Sequence, residues 1–232
     1  MKIAIMQPYL FPYLGYFQLL AAVDRFVILD DVNFINKGWI NRNRLLINGK
    51  PCMFTVPLEQ ASQNKLIKDI KITEYNRWAK KFLKSIEMSY KKAPYYKEIY
   101  PLIMGVLEKD VEGISNLVYH SLLDICAYLN INTEIIPHSE IFDTEGLQGQ
   151  DKILQICIQS GAKHYINPVG GVDLYEKSNF SGRNIDLSFL SPVLIPYNQN
   201  SAEFVEGLSI IDVLMQNSPD EVKNLLNSYT LI

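Results

Sequence analysis

The chain has 232 residues, 48% of them hydrophobic and 20% charged, with a formal net charge of -3. That length suits one large or two small domains, and the apolar fraction excludes disorder and collagen-like structure. No apolar run reaches the roughly 18 residues that span a bilayer, and a pI of about 5.7 speaks against a protein whose main task is holding nucleic acid.

KIAIM (Lys2–Met6) is a short apolar run ending at Gln7-Pro8. It reads as a first strand rather than a signal peptide, because prolines interrupt the apolar stretch and no small-residue cleavage site follows. Pro8 and Pro12 bar a helix. Residues 15–23 then read as a helix, with Phe17, Leu20 and Ala21 on one stripe. Asp24-Arg25 turns the chain into a second buried strand at 26–31 (FVILDD). Two apolar strands joined by a helix form a βαβ unit, and the crossover calls for parallel pairing.

INRNRLLI (40–47), Asn48-Gly49 and KPCMFTVPL (50–58) read as strand, turn and strand, a hairpin. Residues 69–73 read as a further strand. The middle is helical: Trp78, Phe82 and Ile86 lie four apart, and Ile114, Leu117, Val118, Leu122 and Ile125 repeat the stripe, with Pro94 and Pro101 punctuating the stretch between. Strands follow at 133–136, 164–167 and 184–190, with a helix at 151–162 closed by Gly161 and two short helices near the C-terminus. No linker is visible. The expected architecture is therefore one α/β domain over 1–232. It is three-layered and Rossmann-like, a mostly parallel sheet with a β-hairpin and a helical insertion around 76–130.

Ligands of open parallel sheets bind beyond the carboxyl ends of the strands, where loops 7–15, 30–44 and 167–175 fall. In the first, Gly15 opens a helix whose N-terminal N–H groups suit an anion. Gln7 lies at its start, and Tyr9, Tyr13 and Tyr16 are placed to stack or to hydrogen-bond; the alternative is a proline-stiffened loop with packing aromatics. In the second, Asp30 and Asp31 point to opposite sides of an extended chain, so one of them faces a site and holds Mg²⁺, a ribose hydroxyl or an amine; the alternative is a capped strand end. Arg42 and Arg44 share one strand face and suit phosphate or carboxylate, with Lys37 and Trp39 completing a cationic, stacking surface; the alternative is a solvated, ion-paired face. In the third, Gly170-Gly171 after Asn167 lets backbone amides approach a ligand, or simply makes a turn.

The three cysteines lack metal spacing and read as reduced thiols of a cytoplasmic protein, with Cys126 and Cys157 in apolar helix stripes. His120, His138 and His164 form no metal pattern, so no metal site is expected. Lys80, Lys81, Lys84, Lys91 and Lys92 read as a solvated helix face.

The strings MQPYLFPYLGYF, DDVNFINKGWINRNR, TVPL, QDKILQIC, YINPVGGVDLY and LSIIDVLMQN occur in this order over nearly the whole chain. They resemble the WbqC-like proteins, which are encoded in bacterial O-antigen and other surface-polysaccharide clusters. The resemblance implies transfer of an acyl or aminoacyl group, such as glycyl, to a nucleotide-linked amino sugar. Arg42, Arg44 and the amides near Gly15 and Gly170-Gly171 then hold phosphates. Asp30 or Asp31 holds the amine or acts as base, and Tyr13 and Tyr16 line the acceptor pocket. The first βαβ unit is also similar, more weakly, to that of HIGH-motif nucleotide enzymes such as nucleotidylyltransferases and pantothenate synthetase. Here Pro12 and Tyr16 stand in the places of the two histidines, with Gly15 kept. That similarity implies a second option, an ATP-dependent ligase with a nucleotide cofactor, with or without Mg²⁺. A third is a non-catalytic binder of sugar nucleotides. The oligomeric state is left open.

Overall fold

The computed structural model covers residues 1–232. β1 (Lys2–Met6), α1 (Leu14–Ala21) and β2 (Arg25–Ile28) form the βαβ unit, and β1 pairs parallel with β2. β2 ends at Ile28, short of the expected Asp31. The cause is local: the backbone N–H groups of Asp30 and Asp31 donate to Ser139 Oγ at 3.2 and 3.4 Å instead of continuing a ladder.

β3 (Arg42–Ile47) and β4 (Lys50–Thr55) make the hairpin, a separate two-stranded sheet. Asn48 and Gly49 both take positive φ, 51° and 73°, as a tight hairpin turn requires. The strand expected at 69–73 is absent. A 3₁₀ turn occupies Ile67–Asp69, and only the isolated bridges Leu58–Ile72 and Lys71–Gly113 follow. The N–H groups of Ile67 and Lys68 bond the carbonyls of Val32 and Asp30, so this segment clamps the loop after β2 rather than joining a sheet.

α2 (Tyr75–Tyr90), α3 (Tyr96–Leu107) and α4 (Ile114–Tyr128) are the helices expected between hairpin and sheet. Pro94 precedes α3, but Pro101 lies inside it, on an exposed position, and does not break it. The α2 stripe docks on aromatics. The Phe82 ring lies 4.6 Å from Phe54 of β4, 5.1 Å from Trp78 and 6.1 Å from Phe11, centroid to centroid. One helix thus fixes both the hairpin and the loop after β1.

The remaining elements are β5 (Glu134–Ile136), α5 (Gly149–Gln159), β6 (His164–Pro168), α6 (Lys177–Ser181), β7 (Asp186–Pro192), α7 (Ile210–Gln216), α8 (Pro219–Leu226) and β8 (Tyr229–Leu231). Gly161 has φ 67° just beyond α5, the left-handed helix end expected of it. The main sheet runs β5-β2-β1-β6-β7-β8, parallel except for β8, a short antiparallel edge strand that the sequence reading missed.

Strand alternation divides the core into two layers. Ala4, Phe26, Ile28, Ile166 and Leu190 join the larger apolar cluster, with α1, the inserted helices, α7 and α8. Their neighbours Ile3, Ile5, Val27, Tyr165 and Phe189 join the smaller one, under α5 and α6. The architecture is a three-layer, Rossmann-like α/β fold with a mostly parallel sheet. From β1 the chain builds outward through β2 to β5, and later builds the other way through β6 and β7.

α8 starts with a reciprocal cap: Ser218 Oγ accepts from Glu221 N, and the Glu221 carboxylate accepts from Ser218 N. These bonds hold the Glu221 carboxyl below its ordinary range. Ser218→Ala should cost about 1 kcal/mol, read as a lower thermal midpoint at neutral pH.

Candidate functional site

The reversal of chain direction falls between β1 and β6. A cleft of about 520 Å³ opens there at their carboxyl ends. β1 contributes Met6 and its successor Gln7, and β6 contributes Asn167 and Pro168, followed by Gly170 and Gly171. Gly149, Gln150 and Lys152 enter from the first turn of α5, which no side chain caps. Tyr175 closes the far wall.

Asn167 is fixed from below. The fully buried Tyr165 hydroxyl donates to Asn167 Oδ1 at 2.9 Å and lies 3.2 Å from the Tyr175 hydroxyl. Burial pushes the Tyr165 phenol well above its ordinary pKa, so it stays a donor. Asn167 Nδ2 donates to Pro168 O at 3.1 Å. Gly171 has no room for a side chain: a Cβ there would overlap Asn167 Nδ2 and lie 3.5 Å from the Tyr175 ring. The paired glycine therefore has a close approach to explain it, not only a turn.

Lys152 is 8% exposed and forms an ion pair of 2.6 Å with Asp31 Oδ2. The other Asp31 oxygen accepts from Ser139 Oγ. Asp30 points the opposite way, as the extended-chain argument expects, into the protein at zero exposure. It accepts from Ser115 Oγ at 2.7 Å, from Ser139 N at 3.2 Å and from His138 Nδ1 at 2.6 Å. Asp31 and Lys152 also line a second, shallower cavity with the acidic 140–148 loop. No group of three or more His, Cys, Asp or Glu is placed to hold a metal ion.

A second constellation sits at the hairpin base. Arg42 and Arg44 both flank the half-exposed Trp39 ring, at 5.6 and 5.9 Å, and Tyr9 lies 6.0 Å from it. The shared face expected of the two arginines is thus present. Several of their donors, however, end on backbone carbonyls: Arg42 on Gly38 (2.7 Å) and Lys37, Arg44 on Glu206 (3.1 Å) and Gly207 (3.3 Å), while the buried Arg44 Nε has no partner. Lys37 takes a left-handed turn with φ 60°.

The α1 entrance is closed. The Tyr13 ring lies over Gly15. Tyr16 is 3% exposed and its hydroxyl donates to Gln7 O at 3.1 Å. Burial raises the pKa of Tyr9, Tyr13 and Tyr16. All three cysteines are free, and burial pushes the Cys126 and Cys157 thiols up to about 12, so neither is a ready nucleophile.

Of the residues singled out from sequence, Gln7, Asn167, Gly170 and Gly171 meet in the cleft, while Tyr9, Trp39, Arg42 and Arg44 meet on the hairpin side. Lys152, Gln150, Tyr175 and Ser139 carry no sequence signal that singles them out, and His138 stands out only as a histidine without a metal pattern. The pattern DKILQIC marks Lys152 only as a helix residue, and the partner that turns it inward lies in the distant β2 loop.

The sequence profile of the WbqC-like protein family matches residues 7–224. The chain is 28% identical to the uncharacterized protein Rv1507c of Mycobacterium tuberculosis (strain ATCC 25618 / H37Rv), over 96% of this chain and 97% of that one. No solved structure matches. No helix is long and apolar enough to cross a membrane. The profile covers almost all of the fold described above, both constellations included, and the chain belongs to the WbqC-like protein family.

Proposed function

We propose that the cleft between β1 and β6 binds a nucleotide-linked amino sugar. The chain transfers an acyl or aminoacyl group to the sugar's amine, in the cytoplasm, during bacterial surface-glycan assembly. The observation that carries this reading is the position of the cleft, at the strand-direction switch where open α/β sheets take nucleotides. Its wall suits a diphosphate. The Lys152 ammonium has one spare donor beyond its two bonds to Asp31, α5 presents uncapped N–H groups, and Gly170-Gly171 leaves the backbone accessible. The Gln7, Gln150 and Asn167 carboxamides suit the polar edges of a base or sugar.

Asp31 holds Lys152 towards the phosphates. The Tyr9–Trp39 platform, with Arg42 and Arg44, is the proposed rim for the group donor. The adenylating ligase reading has less support, because Tyr13 covers Gly15 and Tyr16 is buried where that chemistry needs cations facing ATP.

Thermal midpoints measured with dTDP- and UDP-linked amino sugars, ATP and CoA, with and without Mg²⁺, test the reading. A ligand at a hundred times its Kd stabilises by about 2.7 kcal/mol. The expected result is a shift with a nucleotide-linked sugar that is lost in Gly171→Ala, where the new Cβ must displace Asn167. A shift with ATP alone favours the ligase, and a shift with a sugar nucleotide without any turnover favours a binder. No shift at all contradicts the proposed ligand.

A further inference from the structure

Asp30 is too deep to touch a substrate, yet its hydrogen bonds arrange a residue that is not. His138 donates Nδ1–H to Asp30 at 2.6 Å, while its side chain is 30% exposed and its Nε2 has no protein partner. A carboxylate bonded at Nδ1 fixes the tautomer with the lone pair on Nε2. This is how a buried acid orients a general base. Ser115 and Ser139 hold the other lone pairs of Asp30, so the carboxylate cannot swing away.

The pair lines neither cavity, but a hydrogen-bond chain links it to the cleft wall. Ser139 bonds Asp30 through its N–H and Asp31 through its hydroxyl, and Asp31 bonds Lys152 in the cleft wall. The other candidates for a base at this end of the sheet are occupied or inert. Asp31 is engaged by Lys152 and Ser139. Burial keeps the Tyr9, Tyr13 and Tyr16 phenols protonated.

We propose that His138 is the proton-transfer residue of this site and that Asp30 is its positioning residue. The inference rests on the function proposed above and names its base. The donor is taken as a thioester. The sugar nitrogen bonds the acyl carbon and gives its proton to His138 Nε2. The carbon–sulfur bond then breaks, the thiolate leaves with the electron pair, and Nε2 returns the proton to it. An amide and a free thiol result, and the enzyme is unchanged.

Two experiments test the proposal. In the first, His138→Ala is assayed with a dTDP- or UDP-linked amino sugar and an acyl-CoA. The expected result is a fall of about 10²–10⁴-fold in kcat, with the KM for the sugar nucleotide little changed and activity partly restored by added imidazole. Asp30→Asn should lower kcat in the same direction without changing the thermal midpoint shift given by the sugar nucleotide. Near-normal kcat in His138→Ala overturns the proposal, and so does a loss that imidazole does not restore.

The second needs no substrate and separates this inference from the proposed function. Diethyl pyrocarbonate should carbethoxylate His138 faster than His164, whose Nε2 is bonded to Ser188 Oγ at 2.9 Å. Asp30→Asn should change the His138 rate and leave His164 as it was. If wild-type protein neither binds nor turns over sugar nucleotides, the function fails while faster His138 labelling still supports an oriented base. Slower labelling of His138 than of His164 overturns that base.

Discussion

Replacing Lys152 by methionine is expected to weaken binding of a dTDP- or UDP-linked amino sugar about 10–100-fold in a calorimetric titration. A hydrogen bond to a charged group contributes about 1.5–3 kcal/mol, and each 1.4 kcal/mol is tenfold in affinity. Methionine keeps the apolar stem of the lysine, so packing around α5 survives. The ammonium has two tasks: it faces the cleft, and it neutralises Asp31 at 2.6 Å. Without it, Asp31 turns a partly buried negative charge towards an incoming diphosphate. The same change should cost about 3 kcal/mol of stability, the lower end for breaking a buried pair, because the pair is only about one-tenth exposed on each side. Unchanged affinity in a folded Lys152→Met protein would place the phosphates elsewhere.

The largest stability effect is expected at Asp212, far from the cleft. This carboxylate is fully buried and accepts from the Tyr90 hydroxyl (2.8 Å), the Tyr197 hydroxyl (2.6 Å) and Gln199 Nε2 (3.1 Å). Tyr90 Oη in turn accepts from Leu46 N at 3.0 Å, so α7, α2, β3 and the 197–205 loop share one network. Asp212→Ala orphans the two buried tyrosine hydroxyls, while Gln199 Nε2 keeps Val205 O, and should cost about 3–5 kcal/mol.

Burial pushes the Asp212 carboxyl above its ordinary pKa, although its three donors pull it back. The native state therefore holds a proton at pH values where the unfolded chain has released it. The stability contributed by Asp212 falls as pH rises through the window from the ordinary carboxyl value to the raised one. Urea denaturation of wild type and Asp212→Ala should accordingly show a gap that widens as pH falls from 7 towards 4. A gap that narrows would contradict a raised native pKa.

How far the sequence carried the account depended on distance along the chain. The βαβ unit, the Asn-Gly hairpin and the helical stripes were legible because each is written in neighbouring residues. So was part of the lining of the cleft, since Gln7, Asn167 and Gly170-Gly171 all follow apolar strands. Asp30 and Asp31 were separable in principle by strand alternation. Which one turns inward is decided by Ser115, His138 and Ser139, which no local pattern connects to β2. The arginine face was read correctly as a face, yet its donors end on Glu206 and Gly207 carbonyls from a distant loop. Residues 69–73 looked like a strand because they are partly apolar. Competition from the Asp30 and Val32 carbonyls for the preceding Ile67 and Lys68 N–H groups was invisible. The role of Gly171 needed the Asn167 carboxamide in place before it had a reason.

The most direct test of where the ligand sits is backbone amide NMR during titration with a dTDP-linked amino sugar. The cleft account predicts that the amides of Gly149, Gln150, Gly170 and Gly171 shift first and furthest. Shifts gathered at Trp39, Arg42 and Arg44, with the cleft amides unmoved, would contradict it and move the site to the hairpin.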